Sequence, residues 1–403
     1  MIRFLTAGES HGKALTTIVE GFPSNLKITK NYIDSQLKRR QMGYGRGGRM
    51  KIETDTAEIL SGIRYGKTMG SPISLLIRNK DWENWTDLMD AEKKIKGGIK
   101  ITVPRPGHAD LTGISKYNLI DIRNSIERSS ARETAARVAA GSIAMRLLEE
   151  FNIHIGSFVE SIGGIFPSRN MGDKIYKNKI RKDFNAADLS VKADRSSLRV
   201  LDKTQENKII NKIKFAKKTG NTLGGTFFVV ASGVPLGLGS FMHYDRKLDA
   251  DIAFAIMSIN AVKGVEIGQG FHNAMEYGSN AHDEIIMSGK NISRKTNRAG
   301  GLEGSISTGL PIVVRGAMKP IATLMRPIKS VDLSKMKGVD ARRERSDFVA
   351  VPACAVIGEN MLAWVLANHL LIKFGGDSIE EMKDNFNTYN KKLYNRIRKN
   401  FKK

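Results

Sequence analysis

A single cysteine, Cys354, stands among 403 residues, so no disulfide can form within the chain, and a reducing compartment, the cytoplasm, is expected. Cys354 lies in the apolar stretch 351–371, where core packing is its natural role. Long apolar runs are missing: Phe227 to Val230 and Met361 to Ala367 fall well short of the roughly 20 residues that cross a bilayer. The opening residues, Met1 to Thr6, reach Gly8 too soon to hold the apolar region of a signal peptide. No membrane partner is expected. The chain also lacks a His-Glu-x-x-His run, a cysteine pair and any close group of His, Asp and Glu, which argues against a metal centre. Its aromatic residues do not interleave with its basic runs, as readers of single-stranded nucleic acid require.

What the chain has in excess is positive charge, net +24. Such a surplus fits nucleic acid, a membrane surface or an acidic substrate, and its distribution separates them. Much of it is lysine mixed with Asn and Ile, as in 173–182 and 389–403, which reads as solvated surface. The arginines beside glycines differ, because a planar guanidinium on a permissive loop suits bidentate capture of phosphate or carboxylate. A small anionic molecule is therefore the expected partner, and nucleic acid is not. With 41% hydrophobic residues the chain can bury a large core. A single large α+β domain over 1–376 and a basic amphipathic helical tail over 377–403 are expected.

Periodicity predicts strands at 3–6, 15–19, 73–77, 225–231, 262–267 and 312–315, with strand character at 50–54. Helices are predicted at 31–42, 130–151, 249–258 and 353–374, the last stopped by Gly375-Gly376. Ser130-Ala-Arg-Glu133 has the form of a capping box, which places Arg128, Ser129 and Ser130 at the positive end of the 130–151 helix. The Lys-rich segment 168–222 reads as a surface excursion. Arg128-Ser-Ser130 and Arg345-Ser-Asp347 each precede a helix of small apolar residues, which suggests an internal duplication.

Three motifs mislead. Gly8-Glu-Ser-His-Gly12 fits the nucleophile elbow, but a strand rather than a helix follows it and too little chain precedes it. Gly43-Tyr-Gly-Arg-Gly-Gly48 fits the dinucleotide fingerprint, but a helix precedes it and a strand follows, the reverse of a Rossmann unit. Gly62 to Thr68 is one residue short of a phosphate-binding Walker loop.

Once these are removed, a consistent set remains. His11 sits in a glycine-bounded turn, Arg40, Arg46 and Arg49 surround a glycine loop, and Arg105 and His108 lie in Pro104-Arg-Pro-Gly-His-Ala-Asp110. An imidazole titrates near neutrality, so two of them among arginines can deliver protons to a leaving anion or a cofactor. His154, His243, His272, His282 and His369 read as surface or capping residues. Asp347, beside several arginines, is either an ion-pair partner or part of the chemistry, and its own surroundings in sequence leave both readings open.

Six stretches carry a resemblance that covers nearly the whole chain: 8–12, Gly45-Arg-Gly-Gly-Arg-Met50, 105–110, Glu127-Arg-Ser-Ser-Ala-Arg-Glu-Thr134, Ser258-Ile-Asn-Ala-Val-Lys-Gly264 and 345–347. In these residues and this order the chain resembles the chorismate synthase family. The resemblance implies a β-α-β sandwich assembled as a homotetramer. It also implies anti 1,4-elimination of phosphate from 5-enolpyruvylshikimate 3-phosphate, using reduced FMN without net redox change. Carried over by motif, His11 protonates the departing phosphate, His108 serves the reduced flavin, and Asp347 manages the proton at flavin N5. Ser10, Arg40, Arg46, Arg49, Arg105, Arg132 and Arg345 would meet the substrate. Arg128, Ser129, Ser130, Asn260, Ala261, Gly304, Lys319, Pro320, Ile321, Ala322, Thr323 and Arg345 would hold FMN. NADPH would meet Arg40 and Arg46 as reductant, unless a separate flavin reductase supplies the electrons. The chain departs from the family at Ser305, where a glycine is usual, so the backbone angle at that position is the point to examine.

Overall fold

Two four-stranded antiparallel sheets enclose a layer of helices in a computed structural model of the chain, which describes residues 1–47, 53–93, 100–181, 183–289, 291–344 and 347–401. The first half runs β1 (Arg3–Ala7), β2 (Ala14–Glu20), α1 (Lys30–Gln41), β3 (Glu58–Ser61) and β4 (Ile73–Arg78). Two short helices follow, α2 (Asp110–Tyr117) and α3 (Ile122–Ser129), and then the long α4 (Thr134–Glu149). The second half runs β5 (His154–Ile162), α5 (Met171–Tyr176), α6 (Ala187–Ala193), α7 (Lys203–Thr219), β6 (Gly225–Ser232), α8 (Leu248–Met257), β7 (Val262–Ile267), β8 (Ile312–Met318) and α9 (Val351–Phe374). It closes with α10 (Ile379–Phe401).

The halves share one topology. Strand order is β1-β2-β4-β3 in the first sheet and β5-β6-β8-β7 in the second. In each half an antiparallel strand pair, a helix, two more strands and a long helix follow in the same sequence, so α1 corresponds to α8 and α4 to α9. This is the internal duplication, and residues 128–130 and Asp347 each stand just ahead of their long helix.

The two long helices meet in the middle. Helix α4 packs on β1, β2 and β4, helix α9 on β5 and β6, and the two pack on each other. Close approach needs small residues: a Cβ at Gly141 of α4 would lie 2.5 Å from that of Asn360 in α9. In β2 the alternation of Leu15, Thr17 and Val19 turns one face to α4, and Thr17 donates a hydrogen bond to the carbonyl of Ala136 (3.2 Å). Helix α9 is long and apolar enough to cross a membrane by length and composition, yet it is the buried centre of this core.

Three readings need correction. Segment 168–222 is not a simple surface excursion, because it folds into α5, α6 and α7. Ile175, Leu189 and Ala193 cover the outer face of the second sheet against Phe158, Phe228 and Val313, while Ile209, Ile213 and Ala216 make an inward stripe that the many lysines of α7 hide in sequence. Within it Arg199 is almost wholly buried, bonded to Glu359 (2.9 Å) and paired with Asp194. His369 is buried rather than superficial and hydrogen-bonds Asp251 (2.8 Å). Helix α4 begins at Thr134, so Arg128 and Ser129 end α3 instead of opening α4. Ser130 caps a short 3-10 turn, Ala131–Glu133, accepting from the Arg132 amide, and the Glu133 carboxylate turns to Thr6 and Arg137 rather than back to the cap.

Candidate active site

The turn between β1 and β2 is pinned from three sides. Asn79, at the end of β4, donates to the carbonyls of Glu9 (3.1 Å) and Gly12 (2.7 Å). The Ser10 amide donates to the carbonyl of Glu127 (3.0 Å), and Ser10 Oγ donates to Ser130 Oγ (3.1 Å). His11 is held most firmly. Its backbone N–H donates to Glu127 Oε2 (2.7 Å), and its Nδ1 lies 2.8 and 3.1 Å from the two Glu127 oxygens. A carboxylate only accepts, so Nδ1 carries the proton toward Glu127. The ring stacks on Trp85 with centroids 3.9 Å apart, and Arg123 of α3 lies over the same indole.

His108 is held in a parallel way by its own loop. Nδ1 lies 2.6 Å from Asp110 Oδ1. Asp110, at the start of α2, also accepts from the Arg105 amide (2.9 Å), Nε (2.8 Å) and Nη2 (3.0 Å). Burial pushes the Asp110 carboxyl upward, but hydrogen bonds from His108 and Arg105 and the guanidinium charge outweigh it, holding the carboxyl well below its usual range. Arg105 also donates to Glu344 (2.8 Å) and Thr323 (3.3 Å), so a residue read as substrate-binding is engaged in tying 105–110 to the loop before α9. Arg342 stands near both Arg105 and Arg123, and burial together with these like charges depresses its pKa.

Arg40, Arg46 and Arg132 converge as a third group. Arg40 and Arg132 share the buried Asp55, and Arg132 Nε donates to Asn79 Oδ1 (2.8 Å). Arg40 further donates to Thr134 (2.9 Å) and the carbonyl of Ala131 (3.0 Å). Burial lowers its pKa to about 10, with Asp55 opposing and the charges of Arg132 and Arg46 adding to the fall. Arg46 Nε meets Asp347 Oδ2 at 3.0 Å, so Asp347 does form an ion pair, at a position that joins the glycine loop to the start of α9.

Helix α3 binds these groups together. Glu127 faces the His11 turn, and Ser125 donates to the carbonyl of Ala109 (2.8 Å) beside His108. The carbonyl of Ser129 accepts from Asn260 (3.1 Å). Arg128 donates to the Thr6 carbonyl (3.0 Å), the Thr6 hydroxyl and the Gly8 carbonyl, neutral acceptors all, and has no carboxylate partner among the described residues. Lys319 donates to the carbonyl of Gly107, linking 319–323 to the His108 loop. Ala261 and Ser305 adopt left-handed φ of 67° and 64°, so Ser305 takes the angle for which glycine is the usual choice. Arg49 and Arg345 lie outside the described residues.

Sequence reading missed Asp55, Asn79, Trp85 and the role of Glu344. It quoted Glu127 and Asp110 within motifs without giving them roles. The signals available were the Asp two residues after His108 and the Glu beside Arg128. Nothing local marks Asp55, which pairs with Arg40 and Arg132, or Asn79, which holds both Arg132 and the His11 turn.

Comparison with known proteins agrees with this geometry. The family model described as chorismate synthase matches residues 2–371. The chain is 52% identical to a chorismate synthase of Chlorobaculum tepidum, with 99% of this chain and 100% of that protein covered. It is 53% identical to one of Aquifex aeolicus, with 96% and 97% covered. A crystal structure of chorismate synthase superposes with a TM-score of 0.78 at 44% identity, covering 98% of each chain.

Proposed function

Because this chain belongs to the chorismate synthase family, it converts 5-enolpyruvylshikimate 3-phosphate to chorismate, the last step of the shikimate pathway, and we propose that the two histidine loops and the arginine groups described above carry that elimination. The chain is a carbon–oxygen lyase. Phosphate and a ring proton leave in an anti 1,4 sense, with no net redox change.

The observation that supports the assignment of roles is the pair of imidazoles, each held at Nδ1 by a buried carboxylate that fixes the orientation of its ring. His11 protonates the departing phosphate, and His108, its Nδ1 fixed by Asp110, would stabilise or protonate the reduced flavin when it is bound. Ser10, Arg40, Arg46, Arg49, Arg105, Arg132 and Arg345 orient the phosphate and two carboxylates of the substrate. Asp347, paired with Arg46, would manage the proton at N5 of the flavin when it is bound. Exclusion of water strengthens these contacts.

The residues near Asn260 fit a flavin. Asn260 Oδ1 is buried with no hydrogen-bond partner among the described residues, an acceptor that a donor on the cofactor can satisfy. A Cβ at Gly304 would meet nothing within 4 Å, so that loop leaves room for a ligand. Arg128, Ser129, Ser130, Asn260, Ala261, Gly304, Lys319 to Thr323 and Arg345 hold reduced FMN, which when bound supplies an electron-rich ring able to take up the hydrogen lost by the substrate. We assign NADPH, as reductant, to Arg40 and Arg46, with a separate flavin reductase as the alternative source of electrons. The buried thiol of Cys354 fits a reducing compartment, the cytoplasm. Leu5 and Ile18, paired across the first sheet, are exposed together with Leu60, which supports self-association into a homotetramer.

The deciding experiment is anaerobic turnover by the purified protein. Chorismate should appear only with reduced FMN, and full activity without any flavin would sink the cofactor assignment. Spectroscopic bleaching of FMN by NADPH with this protein alone distinguishes self-reduction from the need for a reductase.

A further inference from the structure

From the geometry around His11 we infer that Glu127 is a positioning residue for the elimination: it fixes the tautomer and direction of the His11 imidazole without touching the substrate. The inference rests on the reading of His11 as the proton donor to phosphate. Three observations carry it. Glu127 is almost wholly buried, so its carboxylate does not line the site and has partners only within the protein. It grips His11 at two points, the backbone N–H and Nδ1, which sets both the backbone and the ring. The remaining freedom of the ring, a flip about its outer torsion, is opposed by the Trp85 stack on one face.

In the reaction the carbon–oxygen bond to phosphate breaks with its electron pair leaving on the phosphate oxygen, and the Nε2 proton of His11 passes to that oxygen. The Nδ1 proton stays against Glu127 throughout. A carboxylate there stabilises the protonated ring before transfer and holds Nε2 in line during it. With glutamine in its place the shape is retained, but the negative charge is lost and the amide can flip to present a donor to Nδ1.

A double-mutant cycle tests this with the full-length protein and reduced FMN, measuring kcat and KM for Glu127→Gln, His11→Ala and the double variant. Glu127→Gln is expected to lower kcat by roughly 10- to 100-fold with KM changed by less than about twofold, as expected when a transition-state interaction is lost. If Glu127 acts through His11, Glu127→Gln should have no further effect once His11 is alanine. A multiplicative loss in the double variant would show that Glu127 merely supports the fold and would overturn the inference, as would a Glu127→Gln enzyme with unchanged kcat. If His11→Ala alone leaves kcat unchanged, the proton-donor reading itself fails, and the inference falls with it. Should Glu127→Gln fold poorly, Glu127→Asp takes its place in the same cycle, keeping the charge but withdrawing it by one methylene, with the same three outcomes.

Discussion

His11 and His108 each give Nδ1 to a buried carboxylate, but the partner of His108 lies two residues further along the same loop, whereas that of His11 comes from a helix 116 residues away. The difference extends to the surroundings. Asp110 is shared between an imidazole and a guanidinium, so the His108 loop is a self-contained ionic knot tied to Glu344. Glu127 serves the His11 turn, and an indole face completes the clamp. One imidazole is thus fixed by local chain and charge, the other by the docking of α3 on the β1–β2 turn. The lesson is that equivalent chemical constraints can be reached with opposite dependence on tertiary packing.

The largest test removes each imidazole. His11→Ala and His108→Ala should each lower kcat by about 10²- to 10⁴-fold, the usual contribution of a positioned proton donor, while KM moves little. An unchanged kcat for either would remove that histidine from the chemistry and break the comparison outright.

Next in size is the ionic knot. Asp110→Asn leaves Arg105 without its buried partner and should lower stability at neutral pH by about 3 kcal/mol or somewhat more. Because the folded carboxyl titrates below its unfolded value, its contribution is complete above about pH 4 and is lost as pH falls through the folded value. The gap in urea midpoint between wild type and Asp110→Asn should therefore be wide at pH 7 and narrow toward pH 3. A gap that does not vary with pH would mean that the ion pair is not what holds the loop.

The smallest effect separates the loops through their glycines. Gly107, beside His108, has φ of +78°, so Gly107→Ala should cost about 1–2 kcal/mol in left-handed strain. A Cβ at Gly12 would come closest to the far end of the Glu9 side chain, at 2.9 Å, which can swing away, and would sit at ordinary contact distance from the Glu9 Cβ (3.4 Å) and backbone nitrogen (3.6 Å). Gly12→Ala should then cost well under about 1 kcal/mol. Thermal melts of the two variants check the order, and a reversal would show that the His11 turn is the more rigid one.

Much of this molecule was legible before any coordinates. The long helices, the strands at 225–231, 262–267 and 312–315, and the two histidine motifs all follow from residue type at fixed spacing, because periodicity and turn chemistry are written locally. The Asp110 partner of His108 was within the same motif for that reason.

What only the tertiary structure decided is where charge and burial meet. Composition assigns the lysines of 168–222 to solvent, and yet α5 and α6 cover the outer face of the second sheet and α7 turns Ile209 and Ile213 into the main core, because a stripe of a few residues suffices to bury a face. The same holds for Arg40 and Arg132. Sequence marks them as anion seekers, but their shared partner Asp55 and the tether Asn79 come from distant stretches that fold topology alone brings together. Glu127 belongs with them: a carboxylate becomes the partner of a particular imidazole through distance, and over 116 residues distance is set by packing rather than by order along the chain.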